Sequence, residues 1–198
     1  MFSFFHQESS HGSIKLPWLA IVLTAIPVCG YFIFGPAPEW LVFDRNATYQ
    51  GEVWRLITAH WVHSDSEHAL WDIAALGILS VVLSQYSRKL LIVSLIIGMV
   101  GVDLWLWFIN QTLIYYCGLS AILNTVFAVT LYMLWREHKH HMIWIVALAA
   151  VGKIIVEMSS RQAIFTQTSW PSVPEAHAVG FVIGIFVIFL VLVGKMLR

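Results

Sequence analysis

Hydrophobic positions in this chain gather into long, nearly unbroken runs, unlike the alternation of a half-buried strand or the one-sided stripe of a soluble helix. A membrane-spanning helix needs about 20 mainly apolar residues. Six runs reach that class: 17–34, 68–85, 90–109, 118–135, 142–158 and 177–194. The connectors are short except for 35–67 and 159–176. This pattern predicts an all-α membrane bundle of six helices over 17–198, preceded by a polar segment over 1–16, with no internal repeat and no separate soluble domain. The first run resembles a secretory signal only superficially. Its length, and the absence of a small-x-small cleavage site before Pro36, Pro38 and Trp40, predict a retained helix.

Composition agrees. Of 198 residues, 59% are hydrophobic and 11% charged, with a mean hydropathy of +0.78, more apolar surface than a soluble domain can bury. The formal net charge of +0 gives no reason to expect a nucleic-acid partner. The placement of the charges says more. With a cytoplasmic N-terminus, the inner side carries Lys15, Arg88, Lys89, Arg136, Lys139, Lys195 and Arg198, against Arg45, Arg55 and Arg161 outside. That bias predicts both termini inside and both long connectors outside. Two cysteines, Cys29 and Cys117, are too few for a disulfide framework. Both fall in the outer half of the membrane, so a bridge between them stays open.

In this topology the second, fourth and sixth runs enter from outside, and each begins with a reactive side chain: His68, Ser120 and His177. At a rise of about 1.5 Å per residue the three lie at similar depth. Ionisable and amide groups inside the spans deepen the picture, since such groups face a protein interior or a wet cavity. Asp72 lies one turn below His68, Asn124 one turn below Ser120, and Asp103 and Glu157 near the outer ends of the third and fifth runs. They fit a cavity open to the outside, or equally a set of helix–helix hydrogen bonds, with Lys153 and Glu157 as an internal ion pair.

Hydrolysis by serine requires a hydroxyl within reach of a base and donors aimed at a developing oxyanion. Ser120 follows Gly118 and Leu119 at a helix start, where free N–H groups point outward. Serine is also a common N-cap, so this signal alone is weak. His177 precedes Gly180 and Gly184, a small-xxx-small face suited to close helix packing. An interfacial histidine beside an ordinary packing motif reads the same way.

The segment Gly51-Glu52-Val53-Trp54-Arg55, continuing to His68-Ala69-Leu70-Trp71-Asp72, carries a more specific signal. Together with Gly118-Leu119-Ser120 and Ala176-His177-x-x-Gly180-x-x-x-Gly184, it resembles the rhomboid intramembrane serine proteases, whose Trp-Arg pair, His-x-x-x-Asn element, Gly-x-Ser and His-x-x-Gly-x-x-x-Gly occur in this order. The resemblance implies a minimal six-helix core, Ser120 as nucleophile, His177 as base, an oxyanion hole formed by His68 and the Ser120 N–H with Asp72 at the usual Asn position, and no acid behind the base. It implies no cofactor and no metal. It also implies that 159–176 caps the active site and that the fifth helix is a lateral gate.

Two residues depart from the family pattern: Ala121 replaces the usual glycine after the serine, and Asp72 replaces the usual asparagine. An ionised carboxylate accepts hydrogen bonds where an amide would donate. Asp72 therefore either stays protonated and donates, or stays ionised and orients His68. The His-Ala-Leu-Trp-Asp wording and compact size look like rhombosortases, a rhomboid branch of Gram-negative envelopes associated with removing a C-terminal Gly-Gly-containing sorting tail. This likeness places the active site near the periplasmic side of the inner membrane. The expected partners are a membrane-spanning or C-terminally tailed protein substrate and the lipid bilayer.

His60, His63, Glu67 and His68 cluster but miss the metalloprotease spacings, and are expected to order the loop. His138, His140 and His141 form a solvated turn on the opposite side. Trp40, Trp54, Trp61, Trp105, Trp107 and Trp170 are expected to anchor the outer interface. Two other functions compete: a catalytically silent rhomboid-like binding protein, which would have no need of Ser120 and His177, and a transporter relaying protons through Asp72, Asp103, Lys153 and Glu157, whose acidic groups share one side and make no through-path.

Overall fold

The computed structural model describes residues 17–164 and 166–196, the side chains of the last two excepted. The expected polar segment 1–16 and the terminal Arg198 lie outside these residues. The chain forms α1 (Trp18–Phe34), a strand β1 (Phe43–Asp44), α2 (Arg45–Tyr49), α3 (Arg55–Thr58), a 3-10 turn (Ala59–Trp61), α4 (Ser66–Tyr86), α5 (Arg88–Leu104), a π turn (Trp105–Ile109), β2 (Tyr115–Tyr116), α6 (Ser120–His138), α7 (Met142–Ser160) and α8 (Pro174–Met196).

Local chemistry sets several boundaries. The Asp65 carboxylate accepts from the His68 N–H at 2.9 Å and starts α4, while the Ser87 hydroxyl accepts from the Leu90 N–H at 3.1 Å and starts α5. Lys139 and Arg161, both at positive φ, end α6 and α7.

Among the described residues, four helices are long and apolar enough to cross a membrane: Ser66–Tyr86, Arg88–Ile109, Met142–Ser160 and Pro174–Gly194. α1 is apolar but shorter, and α6 falls below that apolar composition. The reason for α6 is its place. It is the central helix, with Ala121, Ile122, Thr125, Val126, Val129 and Thr130 all buried, so protein rather than lipid surrounds most of it and polar side chains find partners there. Thr125 and Thr130 donate to Gly180 O and Val126 O, both at 2.7 Å.

The all-helical expectation needs one addition. β1 and β2 pair antiparallel, Phe43 opposite Tyr116 and Asp44 opposite Tyr115, so the first long connector is sewn to the strand that leads into Ser120. Two buried arginines hold this connector. Arg45 donates to the carbonyls of Leu113, Leu106 and Asn110 at 2.9, 2.5 and 2.7 Å. Arg55 donates to Glu52 at 2.7 Å and to the carbonyls of Glu39 and Val42 at 2.5 and 2.8 Å. The flat, many-donor guanidinium suits such multiple carbonyl capture. Trp54 adds a bond from its indole N–H to Trp40 O at 3.1 Å. Trp105 is no interface anchor: it is buried in the core beside Phe43, Tyr116 and Ala121, on the same helical face as the buried Val102. Cys29 and Cys117 are both free thiols.

Candidate active site

α6 and α8 approach so closely that side chains cannot separate them. A Cβ added at Gly180 would lie 1.8 Å from Ala121 O, and one at Gly184 would lie 2.7 Å from Ala128 Cβ. This contact carries His177, in the first turn of α8, over Ser120, the first residue of α6. The Ser120 Oγ to His177 Nε2 distance is 2.9 Å.

Behind the base stands an acid that the resemblance did not imply. Glu157, fully buried on α7, places Oε2 at 3.3 Å from His177 Nδ1. Its Oε1 accepts from Lys153 Nζ at 2.6 Å and from the Ile164 N–H at 2.8 Å. The expected Lys153–Glu157 ion pair exists, but it is half of the carboxylate's environment.

On the other side of the nucleophile, Gly118 adopts φ +112°, and a Cβ there would lie 2.5 Å from His68 Nε2 and 3.3 Å from Asp72 Oδ2. Glycine lets both side chains close on this turn. Asp72 Oδ2 accepts from the Leu119 N–H at 2.8 Å and lies 3.3 Å from His63 Nε2 and 3.4 Å from His68 Nε2. Asp72 is thus committed as an acceptor to the backbone just before Ser120. The Ser120 N–H, at the first position of α6, has no partner within its helix. Asn124 donates to Ser120 O at 2.9 Å and so braces this turn.

Ser120, His177, His68 and Asp72 line one cavity of about 760 Å³. It extends between α4 and α7 to Phe127 and Ala150, the latter seven residues, or about 10 Å, along α7 from Glu157. Trp170 also lines it. Cys117 lies in the same wall as a free, buried thiol. Asp103 is elsewhere, 3.0 Å from the buried His60. The proposed relay groups therefore split between two places. Among the described residues no group of three or more His, Cys, Asp or Glu is arranged to hold a metal ion. His60, His63 and His68 instead pair with Asp103 and Asp72, and Glu67 accepts from the Gln167 N–H at 3.0 Å.

The connector after α7 folds over the cavity and is latched to the start of α4. Asp65 Oδ2 accepts from the Ser169 N–H at 2.7 Å, the Ser169 hydroxyl at 3.0 Å and the Ser64 hydroxyl at 2.8 Å. Partial burial opposes ionisation of Asp65, but the bonds from His68, Ser169 and Ser64 outweigh it and hold the carboxyl at about 2, below its ordinary 3.8. A depressed folded-state pKa means that the latch contributes fully above pH about 4 and is lost as pH falls through about 2. Hydrogen exchange of the Ser169 amide is accordingly expected to be slow and level at neutral pH, once the intrinsic pH dependence of exchange is divided out, and to accelerate only in that acid window. In Asp65→Asn it should be fast throughout; an unchanged rate would show that the latch does not hold the connector.

Residues 50–194 match the family model described as the Rhomboid domain. No curated protein matches the chain significantly.

Proposed function

This chain belongs to the rhomboid family, known for intramembrane serine proteases, and we propose that Ser120 and His177 perform that chemistry in it. The observation that carries the reading is the 2.9 Å contact between Ser120 Oγ and His177 Nε2 at the head of a deep cavity. Ser120 Oγ attacks the scissile carbonyl as its proton passes to Nε2. The tetrahedral oxyanion accepts hydrogen bonds from the Ser120 N–H and from His68. His177 then returns the proton to the departing amine, and water releases the acyl group by the reverse sequence.

Asp72 serves this step indirectly. Bonded to the Leu119 N–H, it fixes the turn that carries Ser120 and faces the His68 ring, consistent with an orienting acceptor rather than an oxyanion donor. The paired readings of a silent scaffold and of a proton relay fit less well, because neither requires a serine hydroxyl aligned on an imidazole nitrogen.

The protein is an integral membrane protein acting on membrane-protein substrates. More finely, we read α1, α4, α5, α6, α7 and α8 as six crossings with both termini cytoplasmic and the site near the outer, periplasmic face of a bacterial inner membrane. Supporting this orientation, Arg45 and Arg55 are buried carbonyl donors rather than free surface charges, and Arg161 pairs with Glu175. A C-terminal Gly-Gly-type sorting tail is the proposed substrate, on the His68-Ala69-Leu70-Trp71-Asp72 wording.

The test is labelling of the purified full chain with a fluorophosphonate probe. Wild type is expected to label, Ser120→Ala and His177→Ala not to, and Asp72→Asn to label more slowly. Labelling that survives the first two substitutions would remove the dyad, and faster labelling of Asp72→Asn would remove the orienting role of Asp72.

A further inference from the structure

Glu157 is a fully buried carboxylate on α7, a helix that otherwise buries only Ile154 among its described residues. An ion pair with Lys153 on the helix surface would satisfy such a pair without drawing the acid inside. Instead the carboxylate is divided. Oε1 takes the Lys153 ammonium at 2.6 Å and the Ile164 N–H at 2.8 Å, and Oε2 is left for His177 Nδ1 at 3.3 Å. The two donors on Oε1 hold the carboxylate plane, and so fix where Oε2 points.

Neutral imidazole carries one N–H, and a carboxylate in an ion pair only accepts. The proton of neutral His177 therefore belongs on Nδ1, facing Glu157, and the Nε2 lone pair faces the Ser120 hydroxyl 2.9 Å away. That is the tautomer a general base requires. When Nε2 takes the Ser120 proton the ring becomes an imidazolium with both N–H groups facing oxygen, and Glu157 remains a carboxylate opposite its positive charge. No proton moves to Glu157.

We propose that Glu157 is the positioning residue of His177, fixing its tautomer and ring plane and stabilising its imidazolium, so that the site works as Ser120–His177–Glu157. This rests on the Ser120–His177 reading above and extends it to a residue of α7. The other ionisable groups around His177 are Lys153 on α7, His68 and Asp72 across the cavity on α4, Tyr115, Tyr116 and Cys117 in the segment leading into α6, and Glu175, held by Arg161, on α8 itself; Asp103, on α5, is engaged by His60.

The experiment measures inactivation of the full chain in detergent by a fluorophosphonate across pH, separating the maximal inactivation rate from the half-saturating probe concentration. Glu157→Gln keeps the shape and removes the charge. It is expected to lower the maximal rate by about 10²-fold or more with little change in half-saturation. It should also move the acid inflection of the rate to lower pH, because the imidazolium loses its counter-charge. Glu157→Asp should recover part of the rate. A Glu157 that only holds α7 would lower the unfolding temperature or the reactive fraction and leave the inflection in place. That result, or an unchanged rate, overturns the proposal. Should Glu157→Gln fail to fold, Lys153→Met with Glu157→Gln removes both charges together and is read the same way. A wild type that does not label, or a Ser120→Ala chain that labels equally, overturns the protease reading and this inference with it, an outcome distinct from loss confined to Glu157 variants.

Discussion

Replacing His177 by alanine is expected to slow peptide hydrolysis by about 10⁴- to 10⁶-fold while leaving the fold in place. The rate falls because Ser120 would have to lose its proton to water, and a serine hydroxyl is a poor nucleophile without a base. The fold survives because His177 sits at the entrance of α8 and its neighbours keep other partners: Glu157 retains Lys153 and the Ile164 N–H, so no buried charge is orphaned. The stability cost should stay near about 1 kcal/mol, that of one exchanged hydrogen bond. Residues acting as a unit are not additive. Combining Ser120→Ala with His177→Ala should therefore cost no more than either alone. The check is turnover of a transmembrane reporter substrate by reconstituted protein, with unfolding temperature measured in parallel. Multiplicative losses in the double variant would mean that the two residues act separately.

Gly180→Val is expected to be the most damaging single change to the fold. Even the first carbon of the new side chain would lie 1.8 Å from Ala121 O and 2.8 Å from Ala121 C, and backbone cannot yield as a flexible side chain can. α6 and α8 must part, breaking the bond from the Thr125 hydroxyl to Gly180 O and withdrawing His177 from Ser120. Overpacking in well-filled cores costs about 1–3 kcal/mol and occasionally more, and the absence of slack here places this site at or beyond that upper end. A displacement of about 1 Å is enough to reduce catalysis about 10²-fold, so a chain that still inserts should be inactive. Gly152→Ala is the control, since nothing lies within 4 Å of a Cβ at Gly152; it should keep both stability and activity. Equal behaviour of the two variants would show that helix propensity, not the α6–α8 contact, governs the response.

Much of the fold is legible in the sequence because lipid imposes a one-dimensional rule. Length and hydropathy mark helices, and the predicted run 142–158 matches α7 at Met142–Ser160. The same rule misses what is not local. α6 is among the least apolar of the long helices because it is surrounded by other helices, and β1 with β2 is two residues deep, too short to leave a periodic trace. Trp105 reads as an interface anchor until the packing of α5 against its neighbours places it in the core.

The site divides along the same line. The sequence by itself placed His68, Ser120 and His177 within about one turn of the starts of three helices, which the structure begins at Ser66, Ser120 and Pro174, because rise per residue is fixed by the backbone. It also determined that Gly180 and Gly184 present one face, since a spacing of four is close to a helical turn. What only the tertiary structure decided is the rotation of each helix about its axis against its neighbours. That rotation turns Glu157 away from a self-contained pair with Lys153 and toward His177, and it commits Asp72 to the Leu119 N–H. Azimuth depends on packing between elements far apart in the chain, and no local periodicity encodes it.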